Sequence, residues 1–401
     1  MKDAIADRHV SSELSEQRSK YVDVRNGSAV RRFARQLELQ SATGPSITCP
    51  VNSHNEWDPL EEVIVGTVNG AMFPPFHVSM EAVVSKAQAA VLRENACTPF
   101  PKAVVDAANR ELEEFVRILI AEGVRVRRPQ PQDHSLPYGS PGWTSTGLYD
   151  AMPRDVLLVF GNEIIECPMA WRSRYYATSS YRPLLKEYFQ AGAKWTAAPK
   201  PELPDELYRT RSDDEFPSAG ASFRPVITEF EPTFDAADFI RCGRDIFVQR
   251  SHVTNRFGID WIAQHLGDRY RVHVMELDDD HPMHIDATLM PLAPGKLLIN
   301  PLRVPKVPAI FAGWDVLSAP APVIPDDHAL YFTSKWLNMN LLMIDEERVI
   351  VEHEDKPMIT ALTNWGMTPI PCRFRNFNTL GGSFHCATLD VYRRGTLQSY
   401  F

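Results

Sequence analysis

Short apolar runs separated by tight polar turns recur along the chain. Many runs have the length and the β-branched or aromatic content of strands, and two runs on either side of a turn predict a β-hairpin. The predicted turns are Gly161-Asn162, Gly243-Arg244, Pro294-Gly295 and Asp345-Glu346-Glu347. The strands predicted around them are 156–160 and 163–167, 239–240 and 246–248, 289–292 and 297–300, and 341–344 and 349–352.

Helix-like stretches that stop at a glycine alternate with these hairpins. Glycine is the usual stop because it adopts the left-handed conformation without a steric penalty. A short strand follows each stop, so the unit of hairpin, helix and strand is used about five times, and the last three hairpin turns are about 51 residues apart. The stops are Gly123, Gly192, Gly267, Gly313 and Gly366.

A repeat of this size is typical of stacked modules or of a closed ring. We therefore predict an α/β fold in which five ββαβ modules close as a propeller, with loops of distant modules meeting on its axis. An ordinary α/β sheet in two domains is the alternative that the pattern leaves open.

The N-terminal region differs from the rest in composition. Residues 1–48 are polar and charged, and we predict a flexible extension with one short helix over 30–39. Strand and helix signals begin with a predicted strand over 62–66 and continue to the end of the chain. We therefore expect one folded domain over 49–401.

Composition excludes several classes of function. The chain has 401 residues, 44% of them hydrophobic, and a dispersed net charge of −9, so no nucleic-acid partner is expected. No apolar run approaches the roughly 18 residues of a membrane span. The N-terminal region lacks an apolar segment and carries acids such as Asp3 and Glu13, so we expect no secretory or organellar leader and a cytoplasmic location. The six cysteines have neither zinc-site nor disulfide-framework spacing.

Cys386 is the candidate nucleophile. It follows Gly381-Gly382 and His385, in a segment suited to a tight, water-accessible turn. A thiol at neutral pH needs a nearby imidazole or a bound cation to become a thiolate. A buried, inert cysteine is the alternative, because most free cysteines behave as small apolar residues.

His284 is the candidate general acid and base. Asp235 and Asp238 flank two alanines upstream, and either carboxylate would orient the His284 ring as the acid of a triad does. Asp286 lies two residues beyond His284, which in an extended segment places both side chains on one face. Solvated acids and a packed histidine are the alternatives.

Two further carboxylates, Asp155 and Asp286, suit a planar cation, because a guanidinium donates from a fork of N–H groups that pairs with carboxylates. Arg303 would take a substrate carboxylate in the same way. Together the thiol, the imidazole and the acids predict nucleophilic chemistry on a cationic substrate. The chain has neither metal-ligand spacing nor a Gly-rich phosphate loop, so we expect no metal and no cofactor.

Long stretches of the chain resemble the glycine amidinotransferases, and the resemblance covers nearly everything from residue 49 onward. It implies a five-bladed α/β-propeller of pseudo-fivefold symmetry and ping-pong transfer of the amidino group of L-arginine. Cys386 would attack the guanidinium carbon, ornithine would leave, and an acceptor amine would take the amidino group from sulfur. The segments that carry the resemblance are 55–66, 145–149, 151–155, 161–174, 234–241, 283–288, 324–328 and 394–400.

The resemblance also implies roles for single residues. His284, held by Asp235, would protonate the leaving amine and later deprotonate the acceptor. Asp155 and Asp286 would hold the guanidinium. The other implied substrate-binding residues are Arg303, Thr333, Ser334, Met283 and His281.

The chain departs from the glycine enzymes at four positions, and two of them, His281 and Thr333, are expected close to the substrate. His281 stands where they have Asn, Thr333 where they have Ser, Leu302 where they have an acid, and Ala387 where they have Trp. These changes leave the donor chemistry intact and the acceptor open. Glycine is our first expectation, and lysine, an aminocyclitol phosphate or a polyketide-chain amine of bacterial secondary metabolism are the alternatives.

Two rival functions are considered beside amidino transfer. A hydrolase of the same fold would release ammonia and citrulline from arginine, and a non-catalytic binding protein would keep the fold without the reaction. The small-molecule partners expected are L-arginine and an amine. A homodimer is compatible with the resemblance, although the sequence does not specify an oligomeric state.

Overall fold

A computed structural model describes residues 49–209, 224–279 and 281–401. Within these residues the strands form five three-stranded sheets and one two-stranded hairpin. The predicted extension over 1–48 and its helix lie outside the described residues. The strands are β1 (Leu60–Val65), β2 (Arg125–Arg127), β3 (Tyr138–Ser140), β4 (Trp143–Ser145), β5 (Leu157–Phe160), β6 (Glu163–Glu166), β7 (Lys194–Ala197), β8 (Phe239–Cys242), β9 (Asp245–Gln249), β10 (Arg271–Met275), β11 (Leu289–Ala293), β12 (Lys296–Ile299), β13 (Asp315–Ser318), β14 (Leu342–Met343), β15 (Arg348–Glu352), β16 (Thr368–Cys372) and β17 (Thr388–Arg393).

Each three-stranded sheet has the same pairing. Its middle strand is antiparallel to one neighbour and parallel to the other, as in β5-β6-β7, β8-β9-β10, β11-β12-β13, β14-β15-β16 and β17-β1-β2. The predicted hairpins are therefore confirmed as β5/β6, β8/β9, β11/β12 and β14/β15, although β14 is only two residues long.

Of the eight α-helices in the described residues, six lie between the middle strand of a sheet and its parallel neighbour, and the other two precede β5 and β17. In the longest helix, Ala108, Leu112, Phe115 and Leu119 recur at a helical spacing and are all buried, so one apolar stripe faces the core. The α-helices are α1 (Val78–Glu81), α2 (Lys86–Glu94), α3 (Lys102–Ala121), α4 (Pro153–Val156), α5 (Arg182–Gln190), α6 (Arg256–Leu266), α7 (Lys356–Asn364) and α8 (Arg375–Asn378).

Four of the five predicted helix stops are confirmed. Gly123, Gly192, Gly267 and Gly366 follow α3, α5, α6 and α7, and each has a positive φ. The predicted helix before Gly313 is wrong, because only the 3-10 turn Ala309–Phe311 precedes it. Prolines in that segment, including Pro308, remove backbone donors and restrict the preceding residue, so an α-helix does not form.

The antiparallel edge strand of each sheet is buried, and the parallel edge strand is more exposed. Every residue of β5, β8 and β11 is buried, whereas β7 and β13 expose both of their end residues. In the part of the chain that the structure describes, no helix is both long and apolar enough to cross a bilayer.

A short turn precedes each antiparallel edge strand, and these turns position the site. Helix α4 leads into β5, and 3-10 turns lead into β8 (Ala236–Asp238), β11 (Ile285–Ala287) and β14 (Lys335–Met339). Before β17, the Ala387 N–H donates to Ser383 O at 2.8 Å and closes a turn that contains Cys386. Equivalent positions in the five sheets therefore carry the candidate catalytic side chains.

Candidate active site

Cys386, His284 and Asp155 meet in space although three different sheets supply them. One reactive atom of each lies within 4.8 Å of the others. All three side chains are buried, and Cys386 and His284 line a cavity of about 960 Å³. Cys386 is only 3% exposed, but it lines the cavity, so its thiol can be reached from there, as a nucleophile must be.

Cys386 is held as a thiol by its surroundings. Its Sγ donates to Asp286 Oδ2 at 3.7 Å. Burial, followed by the negative charges of Asp286 and Asp155, raises the pKa of Cys386 to about 12, against a smaller lowering by His284. Ionisation of the thiol therefore requires a positive charge to enter the cavity.

His284 has a strained backbone that is fixed by its neighbours. Its φ is +66°, which is uncommon outside glycine, and its N–H donates to Asp238 Oδ1 at 3.0 Å. The expectation of an extended segment here is wrong, because residues Ile285–Ala287 form a 3-10 turn. That turn, rather than strand alternation, brings His284 and Asp286 to the same cavity.

The His284 ring lies between two carboxylates. Its Nε2 is 3.1 Å from Asp235 Oδ2, and its Nδ1 is 3.7 Å from Asp155 Oδ1. Burial alone disfavours the charged ring, but Asp155, Asp235 and a hydrogen bond with Cys386 together raise the pKa of His284 well above its ordinary value. The imidazole is therefore protonated at neutral pH and able to act as an acid.

The Asp155 carboxylate contacts two cationic side chains, Arg174 and His284. Arg174 Nη2 donates to Asp155 Oδ2 at 2.7 Å, and Arg174 Nη1 donates to Asp235 Oδ2 at 3.3 Å. Within the described residues, nothing hydrogen-bonds to Asp155 Oδ1. Burial raises the pKa of Asp155, and His284 and Arg174 oppose that rise. This oxygen therefore has only the His284 ring beside it, at 3.7 Å, and lies next to the cavity rather than in its lining. The donor atoms of Asp155, His284 and Cys386 are also spaced closely enough to ligate a metal ion, but the Arg174 guanidinium already supplies positive charge there.

Buried polar groups contact the Asp286 carboxylate and favour its ionised form. Its Oδ2 accepts from Asn340 Nδ2 and lies near His385 Nδ1, both at 2.7 Å. Burial acts to raise the pKa of Asp286, but the hydrogen bond and charge of His385, together with the charges of His284 and Arg154, outweigh it, and the pKa is lowered. The other ring nitrogen of His385, Nε2, is 3.2 Å from Glu56 Oε2. His385 therefore connects the Asp286 carboxylate to Glu56 beneath the candidate nucleophile.

The cavity continues from Cys386 to the residues expected at the amino-acid end of the donor. Arg303 is anchored there, because its Nε is 3.1 Å from Asp279 Oδ2 and its Nη1 donates to Thr288 Oγ1 at 3.3 Å. Asp235 and Asp155 are the only two predicted site residues, among those described, that do not line the cavity, and both contact His284 instead. The predicted residues that line the cavity are Cys386, His284, Asp286, Arg303, Thr333, Ser334, Met283 and His281.

Sequence reasoning did not identify Arg174 and Asn340. Arg174 lies between Ser173 and Tyr175, with no local signal that separates it from the nearby Arg172. Asn340 could have been found from the repeat, because it stands just before the fourth antiparallel edge strand, as Asp238 stands just before the second.

Comparison with known proteins agrees with this geometry. The chain is 62% identical to an L-arginine:L-lysine amidinotransferase of Pseudomonas savastanoi pv. phaseolicola over 354 residues, which are 88% of this chain and 97% of that protein. The chain belongs to the amidinotransferase family. The predicted resemblance is thereby confirmed, and the reaction class of this amidinotransferase is transfer of an amidino group.

Other amidinotransferases extend the comparison. The mitochondrial glycine amidinotransferase of Danio rerio is 51% identical over 361 residues, which are 88% of this chain and 85% of that protein. A solved amidinotransferase of the saxitoxin pathway from Microseira wollei superimposes with a TM-score of 0.84 at 54% identity and covers 88% of this chain and 100% of its own. No family model matches the chain. These relatives differ in the acceptors that their names state, so they leave the choice of glycine as acceptor unconfirmed.

Proposed function

We propose that this amidinotransferase takes the amidino group from L-arginine, carries it on Cys386 and delivers it to the terminal amine of an amino acid. The observation that carries the proposal is the meeting of Cys386, His284 and Asp155 within 4.8 Å at the end of a cavity of about 960 Å³. The arrangement supplies a nucleophile, an acid and a carboxylate to one planar cation.

Arginine binds with its guanidinium beside Asp155 and Asp286 and its carboxylate at Arg303, with Thr333 and Ser334 nearby. The Arg303 guanidinium suits a carboxylate because its N–H donors match two oxygens. Met283 and His281 line the same cavity. The positive charge of the bound donor opposes the charges of Asp155 and Asp286, so the Cys386 thiol loses its proton to solvent through the cavity and becomes a thiolate.

In the first half-reaction the Cys386 thiolate forms a bond to the guanidinium carbon. His284, protonated and held by Asp235, gives its proton to the departing nitrogen, and the carbon–nitrogen bond breaks. Ornithine leaves, and the amidino group remains on sulfur as a cation. A general acid with a raised pKa is needed here, because the nitrogen would otherwise depart as an amide anion, which is a poor leaving group.

The second half-reaction reverses these roles. The acceptor enters as a neutral amine and forms a bond to the amidino carbon, while neutral His284 takes the proton that the amine loses. The carbon–sulfur bond then breaks and returns the Cys386 thiolate. His284 is therefore acid in one half-reaction and base in the other, as microscopic reversibility requires.

Lysine is the acceptor that the site favours. An amino acid with a terminal amine can place its carboxylate at Arg303, where the donor carboxylate lies, and its amine at Cys386. The 62% identity with the arginine:lysine enzyme supports the same choice. Glycine is the second candidate, because a relative at 51% identity carries that name.

We also infer a five-bladed propeller over residues 49–401, with the site on its axis. Identical pairing in five sheets, burial of their antiparallel edge strands and the meeting of residues from successive turns support this arrangement. A cytoplasmic location and a homodimer stay predictions.

The test supplies L-arginine alone and then with lysine, glycine or other amines, and identifies products by mass spectrometry. Ornithine formed only with an acceptor supports transfer, and citrulline formed without one contradicts it. Intact-protein mass spectrometry after arginine alone is expected to show an amidino adduct on Cys386. Cys386→Ala should abolish both signals, whereas Cys97→Ser, at an exposed cysteine, should keep them.

A further inference from the structure

Asn340 makes three buried contacts that join the nucleophile to the substrate-facing acid. Its Oδ1 accepts from Cys386 N at 3.0 Å and from Ser383 N at 3.2 Å, and its Nδ2 donates to Asp286 Oδ2 at 2.7 Å. The residue is 1% exposed and directly precedes Leu341 at the start of the fourth hairpin. One amide therefore spans two turns that come from different sheets.

The chemistry of these partners fixes the orientation of the amide. Two backbone N–H groups require an acceptor, and the Asp286 carboxylate requires a donor, so only one orientation satisfies all three. We propose that Asn340 is a positioning residue, an inference that rests on the proposed amidino transfer. It holds the Cys386 turn against Asp286 and fixes which Asp286 oxygen faces the substrate.

The two oxygens of the Asp286 carboxylate have different surroundings. Asp286 Oδ2 is contacted by Asn340 Nδ2, His385 Nδ1 and the Cys386 thiol. In the described part of the chain, no hydrogen bond reaches the other oxygen, Oδ1. Oδ1 is therefore the atom that receives the donor guanidinium, and rotation of the carboxylate would break three contacts.

Replacement of the amide by a carboxyl of the same shape isolates this role. In Asn340→Asp one oxygen still accepts from the two N–H groups, but the other would face Asp286 Oδ2 at about hydrogen-bond distance, where two carboxylates cannot both ionise. A shared proton relieves the repulsion at low pH and is lost as pH rises. The charged or titratable groups that face Asp286 are His385, His284, Cys386 and Arg154, and the substitution leaves them all in place.

Asn338 provides a matched control. It lies on the same turn and is buried, and its Nδ2 donates to Pro320 O at 3.0 Å rather than to the site. We expect Asn340→Asp to lower kcat about 100-fold, as misplacement of a reacting group by an ångström does, with a smaller change in KM. The ratio of its kcat to that of the wild type should fall as pH rises from 6 to 9. Asn338→Asp should stay within about threefold of the wild type at every pH.

A second readout does not depend on the transfer reaction. Iodoacetamide alkylation of the Cys386 peptide, followed by mass spectrometry, reports the position and ionisation of the thiol, and thermal melts check that each variant is folded. Asn340→Asp should change this rate at least threefold and Asn338→Asp should not. Equal alkylation rates, or a kcat ratio that is constant with pH, would overturn the role of Asn340. A wild-type protein that transfers nothing would defeat the proposed function, while the alkylation comparison would still decide for or against Asn340.

Discussion

The Cys386 thiol donates a hydrogen bond to Asp286 Oδ2 across 3.7 Å, so the nucleophile lies against a carboxylate that opposes its ionisation. The same carboxylate is proposed to hold the donor cation. One acid would then both raise the pKa of the thiol and bind the cation that offsets this rise.

Removal of this charge should separate thiol reactivity from catalysis. In Asp286→Asn the loss of a neighbouring negative charge should lower the Cys386 pKa from about 12, so alkylation of Cys386 at pH 8 should accelerate roughly tenfold for each unit of pKa change. Amidino transfer should fall at least 100-fold, because the guanidinium loses a carboxylate partner. Alkylation timed by mass spectrometry and product assays would measure both effects. Asp260→Asn, at an exposed helix residue, should change neither, and a slower alkylation of Asp286→Asn would contradict the assignment.

Asp235 should set the pH dependence of the acid. It hydrogen-bonds to His284 and contributes to the raised pKa of that ring, so Asp235→Asn should lower this pKa and deprotonate His284 at a lower pH. We expect kcat to fall about 10²–10⁴-fold at pH 8, as for the loss of an oriented acid or base, with partial recovery as pH is lowered. A pH profile of kcat checks this outcome. Asp268→Asn, on the surface, serves as the control, and an unshifted profile for Asp235→Asn would argue against the pair.

Arg303 should recognise the carboxylate of the donor. Arg303→Gln should raise KM for L-arginine roughly 10–100-fold, the range expected for loss of a charge-assisted hydrogen bond. Agmatine, which is arginine without its carboxylate, should be a poor donor for the wild type and should be no worse for the variant. Steady-state kinetics with both donors measures this selectivity. Arg250→Gln removes only an exposed pair with Glu229 and should leave both KM values unchanged.

A buried ion network next to the site should dominate stability. Arg241 donates to Glu56 Oε2 at 2.7 Å and to Asp390 Oδ2 at 2.8 Å, and all three residues are buried. Arg241→Met leaves two carboxylates without this partner and should cost about 3–5 kcal/mol of unfolding free energy. Arg256→Met, which breaks an exposed helix pair with Asp260, should cost at most about 1 kcal/mol. Urea denaturation would compare the two variants.

This network also predicts acid sensitivity. Burial alone would raise the pKa values of Glu56 and Asp390, but their arginine partners, together with His385 beside Glu56, hold both below their ordinary values. Carboxylates with depressed pKa values stabilise the folded state above the unfolded-state pKa of about 4, and the contribution is lost as pH falls below it. The unfolding free energy of the wild type should therefore decrease steeply below pH 4, and that of Arg241→Met should decrease less.

The repeated elements of this fold could be predicted because their signals are local. Gly161-Asn162 predicts a turn because it separates two apolar runs. Gly192 and Gly366 predict helix ends because each follows a helix-like stretch. Pairing between distant strands leaves no such signal. The partnership of β1 with β17 depends on contacts between the two ends of the described chain, and the repeat period alone did not specify it.

The site could be predicted only in part. Cys386, His284 and Asp235 carry unusual chemistry for their local sequence, and the family resemblance connected them. Asn340 precedes an apolar run, where an asparagine ordinarily indicates a turn. Its role depends on a carboxylate and a turn supplied by other sheets, so only its place in the repeat, just before an antiparallel edge strand, could have identified it.

The pairing of β17 with β1 also has a consequence for synthesis of the protein. Arg393 Nη1 donates to Asp58 O across 335 positions of the chain, and closing a loop of that length costs about 5 kcal/mol in entropy. Translation delivers β1 early and β17 last, with Cys386 just ahead of β17. During synthesis His284 and the acids therefore precede Cys386, and the sheet that follows Cys386 forms only when β17 can pair with β1.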